Sequence, residues 1–204
     1  AGMIHLMRGT PYVYQGEEIG MTNPHFASID QYRDVESLNY YRILCEQGKT
    51  EEEAMQVLAA RSRDNGRTPM QWNKGKNGGF SDAEPWIPMA DNAESICVQS
   101  QMEDRESVLA FYKKLIALRK KRKIISEGTI QFQEEADDHV IAYRRNLGEE
   151  ELLVYGNLSG TVRTVSEKFP DGTYQKILGN YEGEPEMTDG RLTLRPYELV
   201  VMGR

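Results

Sequence analysis

Turn signals and apolar positions at helical spacing alternate over the first sixty residues. Residues 1–8 are typical of the end of a helix that closes at Gly9, and the apolar run at residues 12–14 predicts a β-strand. Apolar residues then recur at roughly helical spacing between residues 29 and 44. Thr50 and Glu53 have the spacing of a capping box, so the next helix is predicted to begin at residue 50.

The segment from residue 63 to residue 91 has no periodicity. It is rich in Gly, Asn and Pro, and it contains Trp72, Phe80 and Trp86. An irregular stretch of this length inside a compact domain is usually functional or disordered, and its aromatic content argues against disorder. We therefore predict an ordered loop with a functional role.

The pattern of apolar and polar residues changes after this loop. Asp104 can cap a helix with apolar positions between Val108 and Leu118, and its end carries the basic run 119–123, which suits the negative end of the helix dipole. After residue 125, short alternating stretches predict an antiparallel sandwich or sheet. The predicted strands are 129–133, 139–144, 152–156, 161–165, 174–178, 192–194 and 199–202, with turn signals at 146–148, 170–172, 180 and 189–190. The chain is thus predicted to be α+β.

Composition and charge narrow the function. The formal net charge is -7 and no basic face with interleaved aromatic residues occurs, which argues against a nucleic-acid partner. No apolar run approaches the roughly 18 residues of a membrane helix, and no signal-peptide pattern is visible. The two cysteines lack CxxC spacing and the three histidines are scattered, so we predict no metal site and no cofactor. We expect free thiols, a cytoplasmic location and no membrane association.

Four motifs carry a resemblance to a known enzyme family. They read GTPYVYQGEEIGM at 9–21, YRDVESLN at 32–39, RDNGRTPMQW at 63–72, and NGGF at 77–80 followed by PWI at 85–87. In this order they resemble the α-glucosidases of glycoside hydrolase family 13, and the similarity runs through the whole chain. The chain is therefore expected to be the C-terminal part of such an enzyme.

The resemblance implies a fold in two parts. Residues 1–125 would form the end of a (β/α)8 TIM barrel, with strand eight, a long loop insertion, and helix eight from about residue 104 to residue 123. Residues 126–204 would form an antiparallel all-β domain. Because active sites of such barrels lie at the C-terminal ends of the strands, residues 15–102 are expected to wall the substrate pocket.

The resemblance also places the catalytic acids outside this sequence. Retaining glycosidases use a nucleophilic carboxylate and a general acid that flank the scissile bond. In this family both come from strands before strand eight, as does a third Asp in an Asn-His-Asp motif that does not occur here. Glu17 and Glu18 are adjacent at the predicted strand end and would point to opposite faces, which excludes them as a catalytic pair. We expect no catalytic residue in this chain and no activity from it alone.

Arg63 and Glu36 are the candidate substrate-binding residues. By resemblance, Arg63 binds the 4-hydroxyl of the non-reducing glucose, and Glu36 reaches the subsite beyond the cleaved bond. The alternatives are an Arg63 that only pins the loop through Asp64, and a Glu36 that is an exposed helix charge. Arg67 and Gln71 are expected to hold the loop together. The three aromatic rings of the loop are expected in its core rather than as platforms for a sugar.

Two substrates stay open within the family. DVES at 34–37, SRDN at 62–65 and IISEG at 124–128 are more similar to trehalose-6-phosphate hydrolases than to oligo-1,6-glucosidases and dextran glucosidases. We therefore expect an exo-acting α-glucosidase that prefers trehalose 6-phosphate, with isomaltose-type oligosaccharides as the alternative. The partner is a small carbohydrate, and the sequence does not indicate an oligomeric state. A non-catalytic fragment or ancillary subunit is a further alternative, against which Arg63 and its complete loop motif argue.

Overall fold

The structure is a computed structural model that describes residues 1–134, 137–169 and 173–204. Its α-helices are α1 (Gly2–His5), α2 (Val35–Glu46), α3 (Glu51–Arg61), α4 (Val98–Met102), α5 (Val108–Lys121) and α6 (Lys123–Glu127). Its strands are β1 (Thr129–Phe132), β2 (Val140–Leu147), β3 (Glu150–Asn157), β4 (Arg163–Lys168), β5 (Gln175–Gly179), β6 (Glu186–Thr188), β7 (Arg191–Leu194) and β8 (Leu199–Gly203). Short 3-10 helices occupy Glu17–Ile19, Ile29–Gln31, Arg63–Gly66 and Lys76–Gly79.

The chain divides into two compact units. One unit consists of residues 1–12 and 111–204 and contains every strand assigned above; we call it the sheet unit. The other consists of residues 13–110 and is named the loop unit. Helix α5 begins in the loop unit and continues in the sheet unit. The domain boundary expected near residue 125 stays a prediction.

The sheet unit is built from two antiparallel sheets. Strands β1, β2, β3, β8 and β5 form one sheet in that order, and β4, β7 and β6 form the other. Alternate residues of the central strand β3 point to opposite faces, as strand geometry requires. Leu152 and Val154 join a core with α5 and α6, and Leu153 and Tyr155 join a second core with β4 and β7. The five-stranded sheet is therefore buried on both faces, which explains why β3 reads as a nearly continuous apolar run.

The predicted antiparallel β region is confirmed. All strand pairs in the described residues are antiparallel, and seven of the eight strands overlap a predicted stretch. Strand β6 was missed, because its three residues are exposed and show no alternation. Helix α6 was also missed, since its buried Ile124 and Ile125 continue the apolar pattern of α5. The turn predicted at residues 170–172 lies outside the described residues.

The strand predicted at residues 12–14 is absent, so that prediction is wrong. These residues have no regular secondary structure, and Tyr12 and Tyr14 are 86% and 61% exposed. A strand exists only where a neighbouring strand accepts and donates its backbone hydrogen bonds, and no described strand pairs with this segment. The α+β content and the antiparallel sheets agree with the sequence analysis, while a closed barrel is not formed by these residues.

The loop unit has few regular elements. The single helix suggested over residues 29–44 is instead a 3-10 turn at Ile29–Gln31 followed by α2. The capping box of α3 is confirmed, since Thr50 accepts from the Glu53 amide at 3.2 Å and Glu53 accepts from the Thr50 amide at 3.0 Å. Among the described helices, none has the length and apolar content that crossing a bilayer would need.

Candidate functional site

Arg63 lies where α3 ends and the long loop begins. Ser62 adopts an extended conformation, which ends the helix, and its hydroxyl accepts from the Asp64 amide at 3.1 Å. A single 3-10 turn, Arg63–Gly66, follows directly. The local sequence therefore fixes the backbone on both sides of Arg63 while its side chain stays 56% exposed.

A buried carboxylate orients the Arg63 side chain. Asp34 caps the N-terminus of α2 and is only 6% exposed. Arg63 donates to both carboxylate oxygens of Asp34, through Nη2 at 2.7 Å and Nε at 3.3 Å, and Ser37 Oγ donates to the same carboxylate at 3.0 Å. The hydrogen bond from Arg63 holds the pKa of Asp34 below its usual value, against the opposing effect of burial, and the same contact raises the pKa of Arg63. Both groups are therefore charged in the neutral range.

Glu36 is the second partner of Arg63. Its Oε2 lies 3.1 Å from Arg63 Nη2, and the Glu36 side chain is 74% exposed. The structure thus brings the two predicted substrate-binding residues together at an exposed surface. Within the described part of the chain, Arg63 Nη1 makes no hydrogen bond or ion pair. This geometry leaves a fixed N–H donor and a carboxylate acceptor side by side.

Asp64 has a different role from the one considered for it. Its carboxylate is fully buried and accepts from the amides of Arg33 at 2.7 Å and Asp34 at 2.8 Å. Arg67 Nη1 lies 3.5 Å from Asp64 and 3.7 Å from Asp34. Asp64 and Arg67 therefore tie the loop to the start of α2, whereas Asp34 holds Arg63. The idea that Arg63 pins the loop through Asp64 is not supported, because Arg63 forms its hydrogen bonds and ion pairs with Asp34 and Glu36.

The predicted role of Arg67 and Gln71 in holding the loop is confirmed. Gln71 is fully buried, and its amide nitrogen donates to Asn92 Oδ1 at 3.2 Å and to the carbonyl of Ile96. The loop is further closed where the amides of Val98 and Gln99 donate to the carbonyls of Gln71 and Trp72.

The aromatic residues of the loop do not lie in its core. Trp72 is 50% exposed, Phe80 is 49% exposed and Trp86 is 65% exposed, so the expectation of buried rings is wrong. The buried positions of this segment are taken by Met70, Gln71, Ile87 and Ala90. Hydrogen bonds of the backbone and of the Gln71 amide also hold this part of the loop.

A cleft of about 220 Å³ lies beside the 3-10 turn of Arg63. Polar groups of the loop unit line it, among them Tyr14, Glu17, Thr22, Asn65 and Thr68. Tyr14 donates to the carbonyl of Gly66 at 2.8 Å, and the buried Oδ1 of Asn65 has no partner in the described residues. This acceptor is buried, so the surface of the cleft is formed by other polar groups of the loop unit.

Glu17 and Glu18 are not strand residues. They begin a 3-10 turn, and Glu18 accepts from the Gly16 amide at 2.8 Å. Gly16 has φ 93°, a left-handed conformation that favours glycine. The argument that adjacent strand residues face opposite sides does not apply here, because the chain turns at this point. The hydrogen bond from the Gly16 amide gives Glu18 a structural role in this turn.

The described residues of the candidate site include no cluster of metal ligands and no cysteine. Within residues 1–134, 137–169 and 173–204, no group of three or more His, Cys, Asp or Glu side chains is placed to hold a metal ion. Cys97 is a buried free thiol and Cys45 a partly buried one. The chemistry of the site is thus that of a guanidinium, carboxylates and amides.

Asp34 was not recognised as the partner of Arg63 from the sequence. The spacing of Asp34 and Ser37, with the helical pattern after them, is a helix N-cap signal that could have placed this carboxylate. Its contact with Arg63 joins residues 29 positions apart, and no local pattern encodes such a contact.

Comparison with known proteins gives the family. Residues 1–128 match the family described as the alpha-amylase catalytic domain, and residues 140–201 match the C-terminal domain of the alpha-amylase SusG. The chain is 43% identical to trehalose-6-phosphate hydrolase of Bacillus subtilis and 43% identical to oligo-1,6-glucosidase of Parageobacillus thermoglucosidasius, in each case over 98% of this chain.

A solved structure agrees with these matches. The crystal structure of trehalose-6-phosphate hydrolase from Bacillus licheniformis aligns with a TM-score of 0.90 and 45% identity, over 99% of this chain and 37% of that one. The chain spans 36% of the length of each of the two relatives above. The matches cover almost all of its residues at identities well above those that show a fold alone. The chain therefore belongs to the alpha-amylase family, family 13 of the glycoside hydrolases.

Proposed function

We propose that this chain is the C-terminal part of a retaining, exo-acting α-glucosidase, in which Arg63 binds the terminal glucose unit and Glu36 contributes to the subsite beyond the cleaved bond. The observation that carries the proposal is the fork between Arg63 and the buried Asp34, which leaves Arg63 Nη1 available at an exposed surface. A hydroxyl group of a sugar is a natural acceptor for such a donor.

The arrangement suits sugar binding because it is organised in advance. Asp34 is buried and bonded to Ser37, so the guanidinium it holds loses little freedom when a ligand binds. Glu36 adds an exposed carboxylate that can accept from a second hydroxyl. The two carboxylates already replace part of the hydration of the guanidinium, so a polyol that binds displaces less water from it than from an isolated charge.

In the proposed reaction, this chain binds and orients the substrate and the acids that cleave it lie outside residues 1–204. A nucleophilic carboxylate would form a glycosyl-enzyme, and a second carboxyl group would protonate the leaving oxygen and then activate water. The chain alone is therefore expected to show no turnover of a chromogenic α-glucoside above the buffer rate. Measurable turnover would place a catalytic group within these residues and contradict the division of roles.

Trehalose 6-phosphate is the preferred substrate in this proposal. Two relatives at 43% and 45% identity carry the name trehalose-6-phosphate hydrolase. The oligo-1,6-glucosidase of Parageobacillus thermoglucosidasius is equally similar at 43%, so isomaltose-type oligosaccharides are the second candidate. The proposal includes a cytoplasmic location, which the free thiols Cys45 and Cys97 support.

The deciding experiment compares two substrates with the complete protein that the gene encodes. We expect hydrolysis of trehalose 6-phosphate at a higher kcat/KM than isomaltose. Turnover of isomaltose alone would overturn the substrate preference, and turnover of neither, with the protein folded, would favour a non-catalytic member of the family.

A matched pair of variants tests the role of Arg63. Arg63→Lys keeps the charge but removes the fork, so we expect kcat/KM to fall about 100-fold, which corresponds to about 2.7 kcal/mol. Arg61→Lys makes the same change at an exposed helix position two residues earlier and should leave kcat/KM within about twofold. Equal effects of the two variants would contradict the proposed contact.

A further inference from the structure

The sheet unit carries a cleft that the proposed function does not use. It has a volume of about 450 Å³, within the usual range for small-molecule sites of roughly 300–1,000 Å³. The end of α5 forms one side, and β5 with the end of β8 forms the other. Its lining includes Leu118, Lys121, Arg122, Lys176, Ile177 and Arg204. None of these residues belongs to the loop unit.

The guanidinium groups of this cleft are held in place. Arg122 Nη1 lies 2.7 Å from Glu150 Oε1, and Arg204 Nε lies 2.7 Å from Glu151 Oε2. Glu151 is buried and also accepts from Tyr174 at 2.8 Å, so its position is fixed by the sheet. Each arginine uses one nitrogen in its salt bridge, which leaves further N–H groups for a ligand.

The charge of the cleft is positive. Four lining side chains, those of Lys121, Arg122, Lys176 and Arg204, are cationic, and no acidic side chain lines the cleft among the described residues. The two nearby carboxylates named above are already paired with arginines. Lys176 donates to the carbonyls of Tyr181 and Gly183, so its ammonium group is anchored.

The residues of the basic run 119–123 have different surroundings in the structure. Arg119 donates to the carbonyls of His5 at 2.6 Å and Met7 at 2.8 Å, which lie at the end of α1 and just after it and not at the end of its own helix. Lys121 and Arg122 instead line the cleft. The helix dipole therefore accounts for only part of this run.

The apolar side chains of the lining indicate that the ligand also has an apolar part. Leu118 and Ile177 are partly buried and pack against the core of the sheet unit. A ligand that consisted only of a small anion would leave this surface in water. A carbon skeleton attached to the anionic group would cover it and gain from apolar burial.

We propose that this cleft binds a small phosphorylated metabolite, with its phosphoryl group between Lys121, Arg122 and Arg204 and its carbon skeleton on Leu118 and Ile177. A phosphate monoester offers three acceptor oxygens and close to two negative charges at neutral pH, which matches three cationic groups from two sides of the cleft. A carboxylate offers two oxygens and one charge, so it would form fewer and weaker charge-assisted contacts with these three groups. Arginine forks and a lysine are the usual binders of phosphate.

The test is calorimetric titration of the complete gene product with glucose 6-phosphate, inorganic phosphate and glucose. Arg63→Ala is the background, so that binding at the proposed substrate site does not contribute. We expect glucose 6-phosphate to bind more tightly than inorganic phosphate, and glucose to bind at least tenfold more weakly than glucose 6-phosphate. Glucose binding as tight as that of its phosphate would overturn the proposal, as would the absence of glucose 6-phosphate binding.

A matched pair of charge reversals locates the binding. Lys121→Glu leaves the salt bridges of Arg122 and Arg204 intact and should weaken glucose 6-phosphate binding at least tenfold. Lys120→Glu makes the same charge change at the preceding exposed residue, which does not line the cleft, and should change it by less than threefold. Equal affinity in the two variants would overturn the proposal. A failure of the proposed glucosidase activity would leave this binding measurement unaffected.

Discussion

The contacts that stabilise the sheet unit internally differ in kind from those within the loop unit. In the sheet unit, two apolar clusters fill the two faces of the five-stranded sheet, and residues such as Leu152, Leu153 and Val201 are fully buried. In the loop unit, many of the buried side chains are polar: Asp34, Ser37, Ser62, Asp64, Thr68 and Gln71. The loop unit also exposes large aromatic side chains, including Tyr14, Trp72 and Trp86.

The two kinds of contact serve different purposes: apolar burial stabilises the sheets, and directional polar contacts shape the candidate site. Apolar burial is non-directional, so the apolar side chains of the sheet unit need no particular partner, unlike its buried Arg145 and Glu151. Buried polar groups of the loop unit such as the Asp34 carboxylate meet their partners only in one arrangement, and losing such a partner is costly. The same arrangement aligns Asp34 with Arg63 and leaves the guanidinium exposed. Directional contacts thus set the shape of the candidate site, while the apolar cores secure the sheets.

The largest expected effect comes from breaking the apolar core of the sheet unit. Leu152→Ala removes a fully buried side chain from β3 and should cost about 2–5 kcal/mol, because it leaves a cavity between the sheet and α5. Hydrogen exchange of residues 150–157 in the complete gene product measures the loss of protection. Val35→Ala in the loop unit, at a side chain 68% exposed, is the control and should cost about 0.5 kcal/mol or less. Unchanged protection in the Leu152 variant would contradict the role of this core.

A smaller but directional effect is expected at Asp64. Asp64→Ala leaves the buried amides of Arg33 and Asp34 without an acceptor, which should cost about 1–3 kcal/mol. Asp64→Asn keeps an acceptor oxygen of the same shape and should cost clearly less. Hydrogen exchange of residues 32–37 and 62–67 reports the change. The idea of a polar framework would fail if the two variants behaved alike.

Acid should weaken the loop unit through Asp34. Its pKa is lowered in the folded chain by the hydrogen bond from Arg63, so the stabilisation is present above the unfolded carboxyl pKa of about 3.9 and is lost as the pH falls through the lower folded pKa. Exchange protection of residues 34–38 at pH 3 and pH 6 measures this. Asp34→Asn should lower the protection at pH 6 and flatten its pH dependence. An unaltered pH dependence in this variant would assign the acid effect to other groups.

The smallest effect is expected at the exposed pair of α2. Arg42 Nε lies 4.0 Å from Glu46 Oε1, and both side chains are about 70% exposed. Arg42→Ala should change the unfolding free energy by about 0.5 kcal/mol or less, since water screens such pairs. A thermal unfolding midpoint within experimental error of the unchanged protein is the expected result. A large decrease would show that surface charges contribute more to the loop unit than its buried polar groups suggest.

Local signals predicted some parts of the molecule well. The capping box at Thr50, the long amphipathic helix and most of the strands depend on neighbours within a few residues, so their patterns are visible in the sequence. The strand expected at residues 12–14 failed, because pairing requires another strand that a local pattern does not supply. Trp72 and Trp86 were misplaced for a related reason: ring size favours burial, but the loop is closed by hydrogen bonds between distant residues.

The sequence by itself determined the family motifs and the change from helical to strand patterns. It also determined the choice of Arg63 and Glu36 as candidates. Each of these depends on the types of residues that are close together in the sequence. Only the tertiary structure decided that Asp34 holds Arg63, that Asp64 binds backbone amides instead, and that Lys121, Arg122 and Arg204 share one cleft. These contacts join residues far apart in the chain, and their geometry arises only when the chain has folded. Residue type fixes what a side chain can donate or accept, and the fold decides which partner it meets.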